Sequence, residues 1–195
     1  FHVGFPAFGR SINAGELEKI LFDFAYITIH GVPGENGLLQ GYLDMMGVPY
    51  GCCNVLASAL TFDKHTCNTY LKSYGVNVAD SVMLIRGMTY DVNEIINEVG
   101  LPCFVKPNAE GSSFGVTKVK EAAQLEDALK KAFALCREVL IETFIDGTEL
   151  TCGVVKAGDM DIAMPIAEVI PKNEFFDFEA KYDPTKSDEI IPARI

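Results

Sequence analysis

Lys106 and the loop after it hold the chain's clearest potential for chemistry. Lys106 ends a short apolar run that begins at Pro102, and Pro107 stops the run, because proline fixes its own φ and offers no donor. Asn108 to Gly115 follows, with Gly111, Ser112, Ser113 and Glu110, and Gly115 to Val119 alternates as a strand does. A Gly/Ser-rich loop between two strands can bring backbone N–H groups and hydroxyls to phosphate oxygens. The Lys106 ammonium would add a positive charge aimed at the same place. The same residues also fit an ordinary hairpin with a surface lysine. The loop is neither a Walker A loop nor a G-x-G-x-x-G fingerprint.

Other residues ask similar questions. Lys64 follows Asp63, a natural N-cap, and so stands at the first position of a helix. The positive end of the helix dipole disfavours a cation there, which makes most sense beside an anion, although an exposed lysine tolerates the position at little cost. His30 and Glu35 lie in a loop with three glycines and a proline between a strand and a helix; they either cap that helix or face a ligand. Glu142 interrupts the apolar run Val139 to Ile145 and stands either on the solvent side or where it accepts hydrogen bonds.

The elements that must position these residues are readable in part. Phe22 to Ile29 is rich in aromatic and β-branched residues and predicts a strand. Leu38, Leu39, Tyr42, Leu43 and Met46 predict a helix stopped by Gly47. Strand, glycine-rich loop and helix make the start of a βα unit, whose ligands sit at strand C-termini. Val55–Phe62 predicts another helix, Asp63 to Tyr74 a third, closed by Gly75, and Asp91 to Val99 a fourth, stopped by Gly100. Ala122 to Arg137 is amphipathic through Leu125, Leu129, Ala132, Phe133 and Cys136. Further strands are expected at Val139 to Ile145, at Thr151 to Val155 and at Pro165 to Pro171. Phe1 to Asn13 has no readable period, and Phe175 to Tyr182 reads as a loop with aromatics packed beneath.

Composition narrows the class. The 195 residues are 49% hydrophobic and 22% charged, an ordinary globular balance. A net charge of −11 argues against a nucleic-acid or anionic-membrane partner. It leaves an anionic nucleotide open, since a local pair of lysines outweighs the global field at close range. No apolar run approaches the roughly 20 residues that span a bilayer. The six cysteines form no C-x-x-C pair and no metal-ligand spacing with the histidines, so they are read as reduced, buried small hydrophobes in a cytoplasmic protein.

VKPNAEGSSFGVTKV resembles the nucleotide-covering hairpin of ATP-grasp enzymes, and among them of D-alanine–D-alanine ligases. Further motifs follow in family order. HGVPGENGLLQG resembles the family's HGxxGEDGxxQG, with Asn36 in place of the usual acid; the resemblance implies that His30 and Glu35 face the first, donor-side D-alanine subsite. ASALTFDK resembles ASAxxxDK, whose lysine, here Lys64, reaches nucleotide phosphate. Glu142, Thr143, Phe144 and Ile145 match the adenine hinge, and Glu149 the family's ribose- or substrate-side G-x-E. FFDFEAKYD resembles the FYDYEAKY lid, which implies that Lys181 contacts the γ-phosphate and Tyr182 holds the lid through Ser112. This lysine-tyrosine lid favours the amide-forming ligase. Ile191 to Arg194 is similar to the CPA segment.

The resemblance implies an α/β (α+β) chain, an ATP-grasp fold preceded by a Rossmann-like parallel-sheet domain. Its expected parts are 1–57 (partial N-terminal domain), 58–144 (central nucleotide-binding subdomain) and 145–195 (start of the C-terminal subdomain). It further implies an ATP- and Mg²⁺- (or Mn²⁺-) dependent ligation of two D-alanines through an acyl phosphate, for peptidoglycan precursors, in the cytoplasm. Ser112, Tyr182 and His30 would be catalytic; Lys106, Ser113 and the residues above would hold ATP. D-alanine and ATP are the implied partners, with no nucleic acid or membrane, and a homodimer is allowed. The chain starts at Phe1 without Met, so it is expected to be a fragment. Its metal ligands are expected after Ile195, leaving none in this chain and the 195 residues inactive alone. A non-catalytic ATP-grasp-like nucleotide-binding module, or another ATP-grasp carboxylate–amine ligase, are the alternatives.

Overall fold

The computed structural model describes residues 8–13, 16–111, 114–172 and 185–195. The chain falls into two units, residues 1–76 and 77–195. In the first, β1 (Phe8–Asn13) and β2 (Glu16–Ile20) form an antiparallel hairpin. β3 (Ala25–Tyr26) and α1 (Leu38–Met45) follow as the expected βα unit, and β4 (Tyr50–Gly51) completes it as βαβ, with β3 and β4 parallel and Ala25 opposite Tyr50. The strand expected over Phe22 to Ile29 is corrected to two residues. Among the described residues its partner is β4, two residues long, so the flanking apolar residues find no ladder to join.

The remaining helices of this unit follow their caps. Asn54 accepts the Ala57 N–H at 2.9 Å and starts α2 (Val55–Phe62). Asp63 accepts the Thr66 N–H at 2.7 Å and starts α3 (Lys64–Ser73). Each such cap satisfies an otherwise orphaned donor and contributes about 1 kcal/mol.

The second unit is built on a four-stranded antiparallel sheet. Along the chain come β5 (Ser81–Ile85), α4 (Val92–Val99), β6 (Cys103–Pro107) and β7 (Thr117–Val119). After a 3-10 turn at Ala122–Gln124 follow α5 (Leu125–Leu135) and β8 (Glu138–Thr143). The strand order is β5-β8-β6-β7. Cys103, Val105, Val119, Val139 and Ile141 point from one face into α4 and α5, meeting Ile95, Val99, Leu125 and Leu129, all at most 4% exposed. A fully buried side chain of this size contributes about 1.5–3 kcal/mol, so this core holds the sheet in register. The Arg86 guanidinium donates to the carbonyls of Phe133 and Cys136, the latter at 3.1 Å, and closes the C-terminus of α5.

The rest of the unit is strand. β9 (Glu149–Thr151), β10 (Val154–Ala157), β11 (Met160–Ala163), β12 (Ala167–Pro171) and β13 (Ser187–Ile190) form a β13-β12-β9 sheet and a β10-β11 hairpin. The single strand expected over Thr151 to Val155 is two, broken at Cys152 and Gly153, where Gly153 O accepts the Met164 N–H at 2.8 Å. The cysteine expectation also needs correction. The six thiols are free, but Cys103 alone is buried; Cys52, Cys53 and Cys152 are exposed because they sit in loops beside short edge strands. Among the described residues, no helix is long and apolar enough to cross a membrane.

Candidate active site

β6 places Lys106. Its core-facing residues are Cys103, Val105 and Pro107, so the alternation turns Phe104 and Lys106 to the face opposite α4 and α5. Register sets their neighbours: Phe104 opposes Glu142 of β8 and Lys118 of β7, and Lys106 opposes Leu140. Lys106 Nζ pairs diagonally with the carboxylate of Glu142, whose side chain is 11% exposed. Of the two roles open to Glu142 in the sequence, the structure selects the paired acceptor.

The loop between β6 and β7 is pinned at both ends. Asn108, fully buried, donates its N–H to Glu138 O at 2.9 Å and its amide to Glu138 Oε2 at 3.2 Å. At the other end Gly115 has φ +75°, and a Cβ there would lie 2.4 Å from Leu135 Cδ1 and 3.1 Å from Pro107 Cγ. Only glycine fits. Ser112 and Ser113 lie outside the described residues, as do Lys181 and Tyr182.

β8 ends at Thr143, and the next residues leave the sheet. Thr143 donates its N–H to Asp80 O at 3.0 Å and its hydroxyl to Val99 O at 2.8 Å, while the Phe144 N–H donates to Pro102 O at 3.2 Å. Those two amides are therefore used by the fold. Ile145 is 67% exposed, and its N–H meets no acceptor among the described residues. Glu149 lies exposed in β9, opposite Val169.

In the first unit the loop from His30 to Gly37 is folded on itself. The Glu35 N–H donates to Gly31 O at 2.9 Å, and the Gly31 N–H donates back to the Glu35 carboxylate. Gly34 packs so closely that a Cβ would stand 2.3 Å from Ile29 O. Gln40, 1% exposed, donates its amide to Gly34 O at 2.6 Å. Asn36 Oδ1 accepts the Leu38 N–H at 3.3 Å, so the amide standing for the family's acid still supports the helix start. His30 and Glu35 line a cavity of about 540 Å³ with Gln40, Cys52, Cys53 and Ser58. Lys64 opens α3, at the helix position expected of it.

Sequence reading missed Gln40, whose Oε1 is buried without a partner; its fixed distance from His30 was visible, but glutamine carries no titration or nucleophile signal. It also missed the clasp between β12 and the C-terminal segment. Glu168, 8% exposed, accepts the Arg194 guanidinium at 2.6 and 2.8 Å. The Arg194 hydrogen bonds hold its carboxyl down at about 2. Among the described residues, no group of three His, Cys, Asp or Glu side chains could hold a metal ion.

The chain resembles known proteins over most of its length. Residues 70–195 match the family model of the D-ala D-ala ligase C-terminus. A D-alanine–D-alanine ligase from Phocaeicola vulgatus is 58% identical over 178 residues, covering 91% of this chain and 55% of that protein. The chain thus spans about half the length of the curated relatives it matches. Among solved structures, the VanG D-Ala:D-Ser ligase from Enterococcus faecalis aligns with a TM-score of 0.74 at 35% identity, over 91% of this chain and 52% of that one. The D-alanine–D-alanine ligase from Bacillus anthracis complexed with ATP aligns at 0.70 and 31% identity, over 87% and 52%. With an ATP-grasp fold and this degree of likeness, the chain belongs to the D-alanine–D-alanine ligase family.

Proposed function

We propose that this chain carries the ATP grip and the donor-side amino-acid subsite of a ligase that joins two D-alanines for peptidoglycan precursors. The observation that carries the reading is the Lys106–Glu142 pair, a charged pair set on the sheet face opposite α4 and α5. A largely buried ion pair contributes little net stability, because desolvating the two charges offsets their attraction, and a ligand that needs both groups gives it a use.

In this reading ATP transfers its γ-phosphoryl group to the carboxylate of the first D-alanine, leaving ADP and an acyl phosphate. The amine of the second D-alanine attacks that carbon, phosphate leaves, and the amine's proton passes to solvent. Phosphoryl transfer needs charge neutralisation and alignment above all. Lys64, Lys106 and Lys181 supply the charge, and the loop around Ser112 and Ser113 supplies N–H donors. Glu142 and the Ile145 N–H read the adenine, and Glu149 takes the ribose. His30 and Glu35 face the first D-alanine. Tyr182, acting with Ser112, closes the site so that water does not hydrolyse the acyl phosphate. A Mg²⁺ or Mn²⁺ requirement rests on family likeness; the described residues offer no donor set for it, and no step here passes through it. A cytoplasmic location and a homodimer belong to the same proposal.

Calorimetric titration of the 195-residue chain with ADP, with and without a phosphinate analogue of D-alanyl-D-alanine, tests this. The expected result is ADP binding that the analogue tightens. ADP binding indifferent to the analogue would leave a nucleotide-binding module without an amino-acid subsite.

A further inference from the structure

Lys118 has no part in the reading above, yet its ammonium lies 3.8 Å from the centroid of the Phe144 ring. That distance is well inside the range over which a cation is drawn to the face of a ring. Phe144 also meets Phe104, with centroids 5.9 Å apart and planes tilted by 55°. Phe104 and Lys118 are directly opposite each other in the β6–β7 pair, so both grip the ring from the hairpin that carries the phosphate-facing loop. The Phe144 N–H, bonded to Pro102 O just before β6, adds a backbone tie to the same hairpin. The next residue is Ile145, the adenine-reading donor proposed above.

We propose that Lys118 is a positioning residue that acts through Phe144: it locks the base-reading hinge to the phosphate-covering hairpin, so that the two move as one body. The inference rests on the nucleotide reading of the hinge and adds a residue to it. Lys118 does not touch the nucleotide. Its ammonium faces the ring, and a guanidinium, which stacks at least as well on an aromatic face, replaces it. A methionine of similar length keeps the packing and loses the cation.

Two measurements on the full chain decide this. The first is hydrogen exchange at the Phe144 and Ile145 amides, which needs no ligand. In Lys118→Met, the Phe144 amide exchanges faster at unchanged thermal midpoint, while Lys118→Arg matches the parent chain. Unchanged exchange in Lys118→Met overturns the coupling, whether or not nucleotide binds. The second is calorimetry with adenosine, ADP and inorganic tripolyphosphate. Lys118→Met weakens adenosine and ADP alike by about threefold to tenfold, the range expected for a partly desolvated cation on a ring, and leaves tripolyphosphate unchanged. Phe144→Leu does the same, and the double variant is no worse than either single one. A loss of tripolyphosphate affinity would make Lys118 a phosphate ligand instead, and additive effects would break its link to Phe144. If the parent chain binds none of the three probes, the nucleotide reading fails, while the exchange experiment still rules on the coupling.

Discussion

Lys106 and Glu142 hold each other in place, and each is costly without the other. Lys106→Met takes the ammonium away from a Glu142 side chain that is 11% exposed, and losing a hydrogen bond to a charged group costs about 1.5–3 kcal/mol. Urea unfolding of Lys106→Met should show a loss of that size, with ADP affinity falling as well; Glu142→Gln, which keeps a neutral acceptor, should lose less stability. The sequence marked both residues as unusual but gave no hint of their contact. The antiparallel register of β6 and β8 joins them across a long separation in the chain. The other acid of note is Glu168. With its carboxyl held at about 2 against an ordinary 4.5 by Arg194, its stabilising effect is complete above about pH 4.5. It is lost as the pH falls from there toward 2. Thermal midpoints measured from pH 6 to pH 2 should drop more steeply across that window in the parent chain than in Arg194→Met.

At the scale of elements, the pieces with local signals were legible. Asp63, Asn54 and Asp91 cap the helices that follow them, and the amphipathic stripe of α5 lies on the core as its spacing requires. Strands were harder, because a ladder depends on a partner that the local run does not reveal. Phe22 to Ile29 has strand composition but only two residues of partner, and Ser81–Ile85, left unassigned by sequence, is a full edge strand because β8 lies beside it. The β6–β7 hairpin depends on one backbone position. Gly115→Ala adds a Cβ against Leu135 and Pro107 at a positive φ, and should cost about 1–3 kcal/mol by overpacking and strain. The same substitution at Gly147, where a Cβ would meet nothing within 4 Å and φ is ordinary, should cost less than about 1 kcal/mol. Equal losses in the two variants would mean that the Leu135 contact is not what fixes the loop.

At the scale of the whole molecule, the division at residues 76 and 77 leaves Lys64 in one unit and Lys106 in the other. On the phosphate role proposed for Lys64, residues 77–195 expressed alone should keep the adenosine affinity of the longer chain and bind ATP more weakly. Calorimetry on the two chains side by side checks this, and loss of adenosine binding would place part of the base site in residues 1–76. The motifs that carried the family likeness were legible because each needs particular residue types at fixed spacing, as in His30 to Gln40. What was not legible is the contact of Lys106 with Glu142, which the pairing of β6 with β8 makes. The central claim is that these residues form the ATP- and donor-binding half of a D-alanine–D-alanine ligase. The most direct test grafts residues 22–195 into the Phocaeicola vulgatus ligase in place of its matching segment and follows D-alanine-dependent release of phosphate together with the dipeptide formed. The graft should form D-alanyl-D-alanine, and its Lys106→Met form none. A folded graft that binds ATP yet makes no dipeptide would contradict the claim.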